Sequence, residues 1–372
     1  MKNKILLIGS GGRESAILSA ILKSNLLGVC YFAHGISQVF YNPKLQIIDI
    51  DISNHSAVVT FCKEKGIDFV IVGPETPLCD GIVDVLEQNH IAVYGANRAA
   101  SMLEGSKIFM KDVLQSAGVP TAKYETFTHE QLSQARAFIQ TFTGKIVIKT
   151  DGLASGKGVY ICENHTDANA VLIEFFNGKF GDAGKSVVIE EFLEGREVSI
   201  FALCDGNRAI PFFHACDYKK IGNGDVGLNT GGMGSFAPSF LSDDKFRSIV
   251  NQYFNATLDE LKRRGIIYKG FLFGGLIITE QGVKFLEYNI RMGDPETQSI
   301  MPLLDCDLLK VLLQSYNGTL TEAEIKFQKK HTVTVVLASN GYPLEFEKHK
   351  KIDGLRDVLC NIYPSGLYEK QS

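Results

Sequence analysis

Between Lys4 and Gly95 short apolar runs alternate with longer amphipathic ones, and this alternation constrains the fold more than any other feature of the chain. The runs are Ile5 to Ile8, Arg13 to Lys23, Val29 to Ala33, Ile47 to Ile50, Ala57 to Lys65, Phe69 to Val72, Gly81 to Gln88 and Ile91 to Tyr94. Strands that alternate with helices imply a parallel sheet connected by helical crossovers.

The pattern then changes. Ser106 to Ala117 reads as a helix closed by Gly118 and Pro120. Beyond it strands at Lys145 to Lys149 and Ser186 to Glu191 lack regular crossovers, and Val198 to Phe213 and Gly270 to Ile290 read as β-hairpins turning at Asp205-Gly206-Asn207 and Glu280-Gln281-Gly282. Ile221 to Pro238 is glycine-rich with little periodicity, so it reads as a loop placed over a site. A helix at Leu303 to Tyr316 precedes a β-branched strand at His331 to Ala338, which opens a final small unit. The chain reaches Ser372 before that unit has strands enough to close a core. A chain of 372 residues exceeds the ~250 that one core usually organises. The expected fold is a multidomain α/β and α+β protein: a Rossmann-like domain at 1–103, an α+β nucleotide-binding unit at 104–325, and a small, incomplete C-terminal domain at 326–372.

A net charge of -4 leaves no broad positive field for a nucleic-acid backbone or an anionic membrane, so neither is an expected partner and phosphate binding must be local. The eight cysteines are scattered without a Cys-x-x-Cys pair, which suits free thiols in a reducing compartment. Met1 is followed by charged residues and a strand, and Gly270 to Ile278 is far shorter than the ~20 residues of a spanning helix. The expected location is cytoplasmic.

Four motifs carry chemistry. Gly9-Ser10-Gly11-Gly12-Arg13-Glu14 follows a strand and opens a helix, a geometry that aims backbone N–H groups at an anion; a plain tight turn fits the same residues. A dinucleotide fingerprint would need glycine at Glu14 and an acidic residue where Ala33 and His34 stand, which argues against NAD. In Ile146 to Val159 a strand delivers Lys149 to its end and a small-residue loop carries Ser155, Gly156, Lys157 and Gly158. Its spacing differs from a Walker loop, and a hairpin turn with a solvated lysine is the bland alternative. Glu190, Glu191, Phe192, Leu193 and Glu197 surround a turn whose carboxylates suit an adenine amino group and ribose hydroxyls, or are simply solvated. Lastly, Glu287, Asn289 and Arg291 alternate along a strand and share one face, with Leu286, Tyr288 and Ile290 opposite. Two oxygen donors suit magnesium, which keeps its other positions for water and phosphates, and a guanidinium grips a carboxylate or phosphate; an edge strand with a polar outer face is the alternative.

Taken together and in this order, these motifs resemble the phosphoribosylamine-glycine ligase family (glycinamide ribonucleotide synthetases) of the ATP-grasp superfamily. The resemblance is carried by Gly9 to Glu14, Val72-Gly-Pro-Glu-Thr-Pro-Leu78, Leu103-Glu-Gly-Ser-Lys107, Ile148 to Val159, Glu190 to Leu193, Asn229-Thr-Gly-Gly-Met-Gly234 and Arg291-Met-Gly-Asp-Pro-Glu-Thr-Gln298, and runs to about residue 360. It implies a Rossmann-like N-terminal domain before an ATP-grasp unit, with a lid subdomain at about 122–192. It implies a monomeric ligase of purine synthesis that joins glycine to 5-phosphoribosylamine through glycyl phosphate, releasing ADP and phosphate, with magnesium or manganese. Lys107, Lys149, Ser155, Gly156, Lys157 and Gly158 would hold the ATP phosphates, Glu190 and the backbone of Glu191, Phe192 and Leu193 the adenine, Glu197 the ribose, and Glu287 and Asn289 the metal. Arg291, Lys157 and Asp217 would be catalytic. Asn229, Thr230, Gly231 and Gly232 would serve the glycine end, and Gly11, Gly12, Arg13, Glu14, Gly73, Pro74, Glu75, Asp294, Pro295, Glu296 and Thr297 would complete the substrate site. The chain departs from the family pattern at Ser15, at Gly35-Ile36-Ser37-Gln38-Val39, at Lys219-Lys220 and at Leu228. Another carboxylate–amine ligase on this scaffold, or a degenerate nucleotide-binding homologue, are the alternatives.

Overall fold

The computed structural model describes residues 2–33, 42–153, 158–224, 226–355 and 357–367. Its first domain holds strands β1 (Asn3–Ile8), β2 (Leu27–Ala33), β3 (Leu45–Ile48), β4 (Phe69–Val72) and β5 (Val93–Tyr94). They form a parallel sheet in the order β3-β2-β1-β4-β5. The helices α1 (Gly12–Ile21), α2 (His55–Lys65), α3 (Glu75–Cys79) and α4 (Ile82–Gln88) connect them. The cause is visible in β4, whose Phe-Val-Ile-Val is buried throughout, as a strand covered on both faces must be. Local signals set the helix ends: Asn54 Oδ1 caps α2 by accepting from Ala57 N at 3.1 Å, and Gly66, at φ +62°, ends it in the left-handed conformation.

Helices α5 (Arg98–Gly105) and α6 (Lys107–Ser116) lead into a second unit, with Ser106 capping α6. A four-stranded sheet follows, in the order β6-β9-β7-β8, from β6 (Tyr124–Thr128), β7 (Ile146–Thr150), β8 (Val159–Cys162) and β9 (Ser186–Glu191). With α7 (Leu132–Ile139) and α8 (His165–Glu174) it encloses its own apolar cluster, which includes Phe127, Ile139, Ile146, Ile148, Leu172, Phe175 and Ile189. Each such side chain contributes about 1.5–3 kcal/mol by burial before the cost of ordering it.

The remaining sheet is six-stranded and antiparallel, in the order β14-β13-β10-β11-β12-β15. It comprises β10 (Arg196–Asp205), β11 (Ala209–Gly222), β12 (Val226–Ala237), β13 (Lys269–Thr279), β14 (Gly282–Asn289) and β15 (Thr332–Val335), with α9 (Asp243–Ile249), α10 (Asn255–Arg263), α11 (Glu296–Ile300) and α12 (Leu308–Tyr316) around it. Side-chain alternation makes one strand serve two cores. Leu6 and Ile8 of β1 join Val198, Ile200 and Ala202 of β10 in one cluster, while Ile5 and Leu7 join Phe201 and Leu203 in another. The first domain and this sheet are therefore welded by shared apolar packing, whereas the four-stranded unit keeps its core to itself.

Two expectations are corrected. The glycine-rich stretch read as a loop is mostly strand: β12 pairs with β11 on one side and β15 on the other. Its partners supply the hydrogen bonds that its weak strand propensity does not argue for. The strand expected to open a final unit is β15, which closes the edge of this sheet instead. Among the described residues after Val335 there is no helix or strand. No helix among them is long and apolar enough to cross a membrane.

Candidate active site

Lysines from the four-stranded unit, from α6 and from the six-stranded sheet converge on Glu190 and Glu287. Asp151, just past β7, ties the two units together, because its Oδ1 accepts from Ser106 Oγ at 2.9 Å and Ile108 N at 3.2 Å at the start of α6. That clasp brings Lys107 within 2.9 Å of the Gly152 carbonyl. Lys149, at the end of β7, forms an ion pair with Glu190 of β9 and donates to the Leu286 carbonyl at 3.2 Å. Lys111, one turn beyond Lys107 on α6, is fully buried and pairs with the other Glu190 oxygen. Burial alone would raise the Glu190 carboxyl; Lys149 and Lys111 outweigh it and hold the group below its ordinary value. Burial pushes Lys111 down to about 8 against the pull of Glu190.

Leu286 is exposed to Lys149 by a β-bulge. Gly275 faces Glu287 and Leu276 faces Phe285, so Leu286 is the extra residue. The core side chains of β14 are thus Val283, Phe285 and, after the phase shift, Tyr288 with Ile290 beyond the strand. Leu286, expected on that face, leaves it. Glu287 and Asn289 do end up together: Asn289 Nδ2 donates to Glu287 Oε1 at 3.4 Å, and Asn289 Oδ1 accepts from Arg291 Nη2 at 3.0 Å. Burial raises the Glu287 carboxyl, but Lys219, Lys149 and Lys107 overcome this and keep it low. An ionised carboxylate beside an amide oxygen fits a hard divalent cation. No group of three or more His, Cys, Asp or Glu among the described residues is placed to hold a metal alone, so phosphates and water would have to complete its shell.

Arg291 connects this end to the first domain. Its Nε donates to Glu75 Oε2 at 3.1 Å and its Nη2 to Glu104 Oε1 at 2.8 Å. Beside it the buried Arg13 bonds Glu14 Oε1 at 2.6 Å and the Met292 carbonyl at 3.0 Å, and lies 3.7 Å from Glu75. Arg291 and Arg13 pull Glu75 below its ordinary value in spite of burial, whereas at Glu104 burial prevails and the carboxyl is raised. The α1 turn is filled by its own side chain, since Gly11 N donates to Glu14 Oε2 at 2.8 Å and Arg13 N to Asp294 Oδ2 at 3.4 Å. Gly73 lies so close to Glu14 that a side chain there would collide with it, and Pro74 caps α3. Gly12 packs on Gln298, which donates to Asp294 Oδ1 at 2.6 Å.

A third cluster surrounds Lys219. Its Nζ is 3.1 Å from Glu197 and 3.2 Å from Asp217. Nearly half of its side chain is exposed; partial desolvation opposes its charge, but Asp217, Glu197, Glu287 and Glu296 raise it well above its ordinary value. Burial and the nearby Asp217 lift the Glu296 carboxyl to about 7, although Ser199 Oγ donates to it at 2.8 Å. Thr230 Oγ1 donates to the Lys219 carbonyl at 2.8 Å, Gly231 N donates to Tyr342 Oη at 3.1 Å, and Asn229 pairs with Lys220. Gly232, at φ +132°, abuts Pro295, so only glycine fits. Thr297 is fully buried and its hydroxyl donates to the Gly293 carbonyl.

The remaining expected residues are placed less tightly. Glu191 is tied into its own sheet, its N–H to the Lys123 carbonyl and its carboxylate to Lys123 N at 2.8 Å. Phe192 lies under Lys145 and Leu193 is partly buried. Gly158 returns to β7 through its carbonyl on Thr150 N at 2.9 Å. Ser155, Gly156, Lys157 and the Gly35 turn lie outside the described residues. Sequence reasoning assigned no role to Lys111, Glu104, Asp151 or Lys219. Lys111 had a signal, a charge among the apolar positions Met110, Val113 and Leu114; the others show only when distant segments meet.

A small four-stranded sheet set beside a six-stranded antiparallel body, with lysines contributed from both, is the arrangement of an ATP-grasp fold. Residues 3–104 match the family model of the phosphoribosylglycinamide synthetase N domain, and residues 105–297 that of the same family's ATP-grasp (A) domain. A phosphoribosylamine–glycine ligase of Mesorhizobium japonicum is 43% identical over 355 residues, covering 95% of this chain and 83% of the relative. The crystal structure of the phosphoribosylamine–glycine ligase of Thermotoga maritima superposes with a TM-score of 0.80 at 32% identity, covering 92% of this chain and 82% of that one. The biotin carboxylase domain of a 2-oxoglutarate carboxylase from Hydrogenobacter thermophilus, at 18% identity, shares the fold with a TM-score of 0.67 over 90% of this chain and 74% of that one. The chain belongs to the phosphoribosylglycinamide synthetase family.

Proposed function

We propose that this chain joins glycine to 5-phosphoribosylamine at the expense of ATP, as its ligase relatives are named for doing. The observation that carries the reading is the position of Arg291. Through Asn289 it adjoins the oxygen donors suited to a metal, and through Glu75 and Glu104 it reaches the first domain. Phosphate transfer and amine capture thus meet at one guanidinium.

In this reading Lys107, Lys149 and the loop through Ser155, Gly156, Lys157 and Gly158 neutralise the ATP phosphates. Glu190 and the Glu191 to Leu193 backbone take adenine, and Glu197 the ribose. Glu287 and Asn289 would hold magnesium or manganese, which when bound would screen the β- and γ-phosphates. A glycine carboxylate oxygen attacks the γ-phosphorus and ADP leaves. The amine of phosphoribosylamine then attacks the acyl carbon of glycyl phosphate, phosphate departs, and the amine gives up a proton. Because free carboxylate is a poor acyl donor, the protein's task is to position reactants and offset charge. The acidic pair Asp217 and Glu296 suits the glycine ammonium, with Asn229, Thr230, Gly231 and Gly232 beside it. Gly11 to Glu14, Gly73 to Glu75, Asp294, Pro295 and Thr297 supply the phosphoribosylamine side.

The test supplies purified protein with ATP, magnesium and glycine and varies the amine. ADP is expected to appear only with freshly made phosphoribosylamine; release indifferent to the amine overturns the reading, and release with another amine alone assigns a different ligase.

A further inference from the structure

Lys111 has no part in the chemistry above, yet it is a fully buried cation in the body of the protein. Buried charges persist only when paired, and its pairing is complete. Its Nζ holds one oxygen of Glu190, donates to Thr121 Oγ1 at 2.7 Å and stands 5.1 Å over the Tyr124 ring. Thr121 has its own proton committed to the Phe285 carbonyl at 2.7 Å, so its oxygen faces Lys111 as an acceptor. Lys111 is therefore held at three points around the connection between α6 and β6.

Lys149 differs. It holds the other Glu190 oxygen, but it stands at the end of β7 where the phosphate-side loop begins, and its second partner is only a backbone carbonyl. The two lysines share one carboxylate in a largely dry place, and Lys149 also faces the ionised Glu287 on the phosphate side. Incoming phosphates would draw Lys149, which stands at the strand end, and leave Lys111, which is held at three points.

We propose that Lys111 is a positioning residue that holds the Glu190 carboxylate as acceptor for the adenine amino group, and that Lys149 releases its Glu190 oxygen when the nucleotide's phosphates arrive. The base is then read only in a nucleotide that also carries phosphates. This rests on the reading of Glu190 as the adenine acceptor. With Lys111 absent and Lys149 drawn away, the buried carboxyl has no cation left and takes up a proton. A protonated carboxyl donates to the carbonyl of guanine as readily as it accepts from adenine, so base selectivity is lost.

Calorimetric titration of the full chain with ADP, GDP and adenosine tests both halves. Lys149→Met is expected to weaken ADP by about 10- to 100-fold while leaving adenosine unchanged or tighter, because an oxygen of Glu190 is freed. Weaker adenosine binding in that variant overturns the exchange. Lys111→Met is expected to weaken adenosine and to lower the ADP-over-GDP preference by about tenfold or more; an intact preference overturns the positioning role. Should that variant fail to fold, Thr121→Val removes the second anchor while sparing the ion pair. It is expected to lower the preference about threefold, and no change overturns the role equally. Glu190→Gln separates the underlying reading: if it leaves base preference and adenosine binding intact, Glu190 does not meet adenine. If it alters them while Lys111→Met does not, only the role of Lys111 falls.

Discussion

Around Glu190 two lysines share a single carboxylate; where Arg13 and Arg291 meet the first domain the balance is reversed. Lys111 and Lys149 share Glu190, whereas Arg13 and Arg291 stand among Glu14, Glu75, Glu104 and Asp294. The first arrangement carries spare positive charge suited to a polyphosphate. The second carries spare negative charge, suited to ammonium groups and to drawing a proton from an amine. The same contrast appears in packing. The four-stranded unit that supplies Lys149 and Glu190 has its own core, while Arg13 and Arg291 bridge two regions that share cores.

The largest expected effect tests the crowded end. Arg291→Met leaves Glu75 and Glu104 without their shared cation, and the loss is expected to reach about 3–5 kcal/mol of stability, together with loss of turnover, measured by urea unfolding and by ADP release. A loss below about 1 kcal/mol would show that these carboxylates do not depend on the arginine. Next comes Glu287→Ala, expected to lower turnover by about 100- to 1,000-fold while ADP still binds without added metal. Undiminished turnover would remove Glu287 from the proposed metal site.

The third prediction concerns pH. The Glu296 carboxyl titrates near 7 in the folded chain and near its ordinary value when unfolded, so the folded state binds the extra proton between those values. Stability is then unaffected below about pH 4, declines as pH rises toward 7, and is level above. Glu296→Gln removes this penalty, so it is expected to gain on the parent by of order 2–3 kcal/mol at pH 8 and by nothing at pH 4. A difference independent of pH would contradict the assignment. The smallest effect is expected at Lys219, which is half-exposed: Lys219→Met should cost no more than about 1 kcal/mol in thermal unfolding, shrinking further with salt. A larger loss would move Lys219 from the rim of the comparison to its centre.

Much of the fold was legible. The runs Phe69–Val72 and Ser186–Glu191 are strands with the expected bounds, and the two hairpins turn where glycine and aspartate predicted. Lys149, Glu190, Glu287, Asn289 and Arg291 were each singled out from strand ends and alternation; Lys149 pairs with Glu190 and reaches the Leu286 carbonyl, and Asn289 bonds both Glu287 and Arg291. The bulge at Leu286 was not legible, because strict alternation carries no mark of an inserted residue. Nor was β12, since glycine-rich backbone becomes strand only where neighbours offer a ladder.

What the sequence by itself determined was local: the parallel α/β start, helix caps such as Asn54 and Ser106, and the order of motifs that placed the chain in its family. These depend on the periodicity and chemistry of adjacent residues. Tertiary structure decided the partnerships. Lys111 and Glu190 are 79 residues apart and Arg291 and Glu104 are 187 apart. Whether a charge is spare or satisfied depends on which distant group folding sets beside it and on how far water is excluded. Those are properties of the assembled site, and the order of residues along the chain does not contain them in readable form.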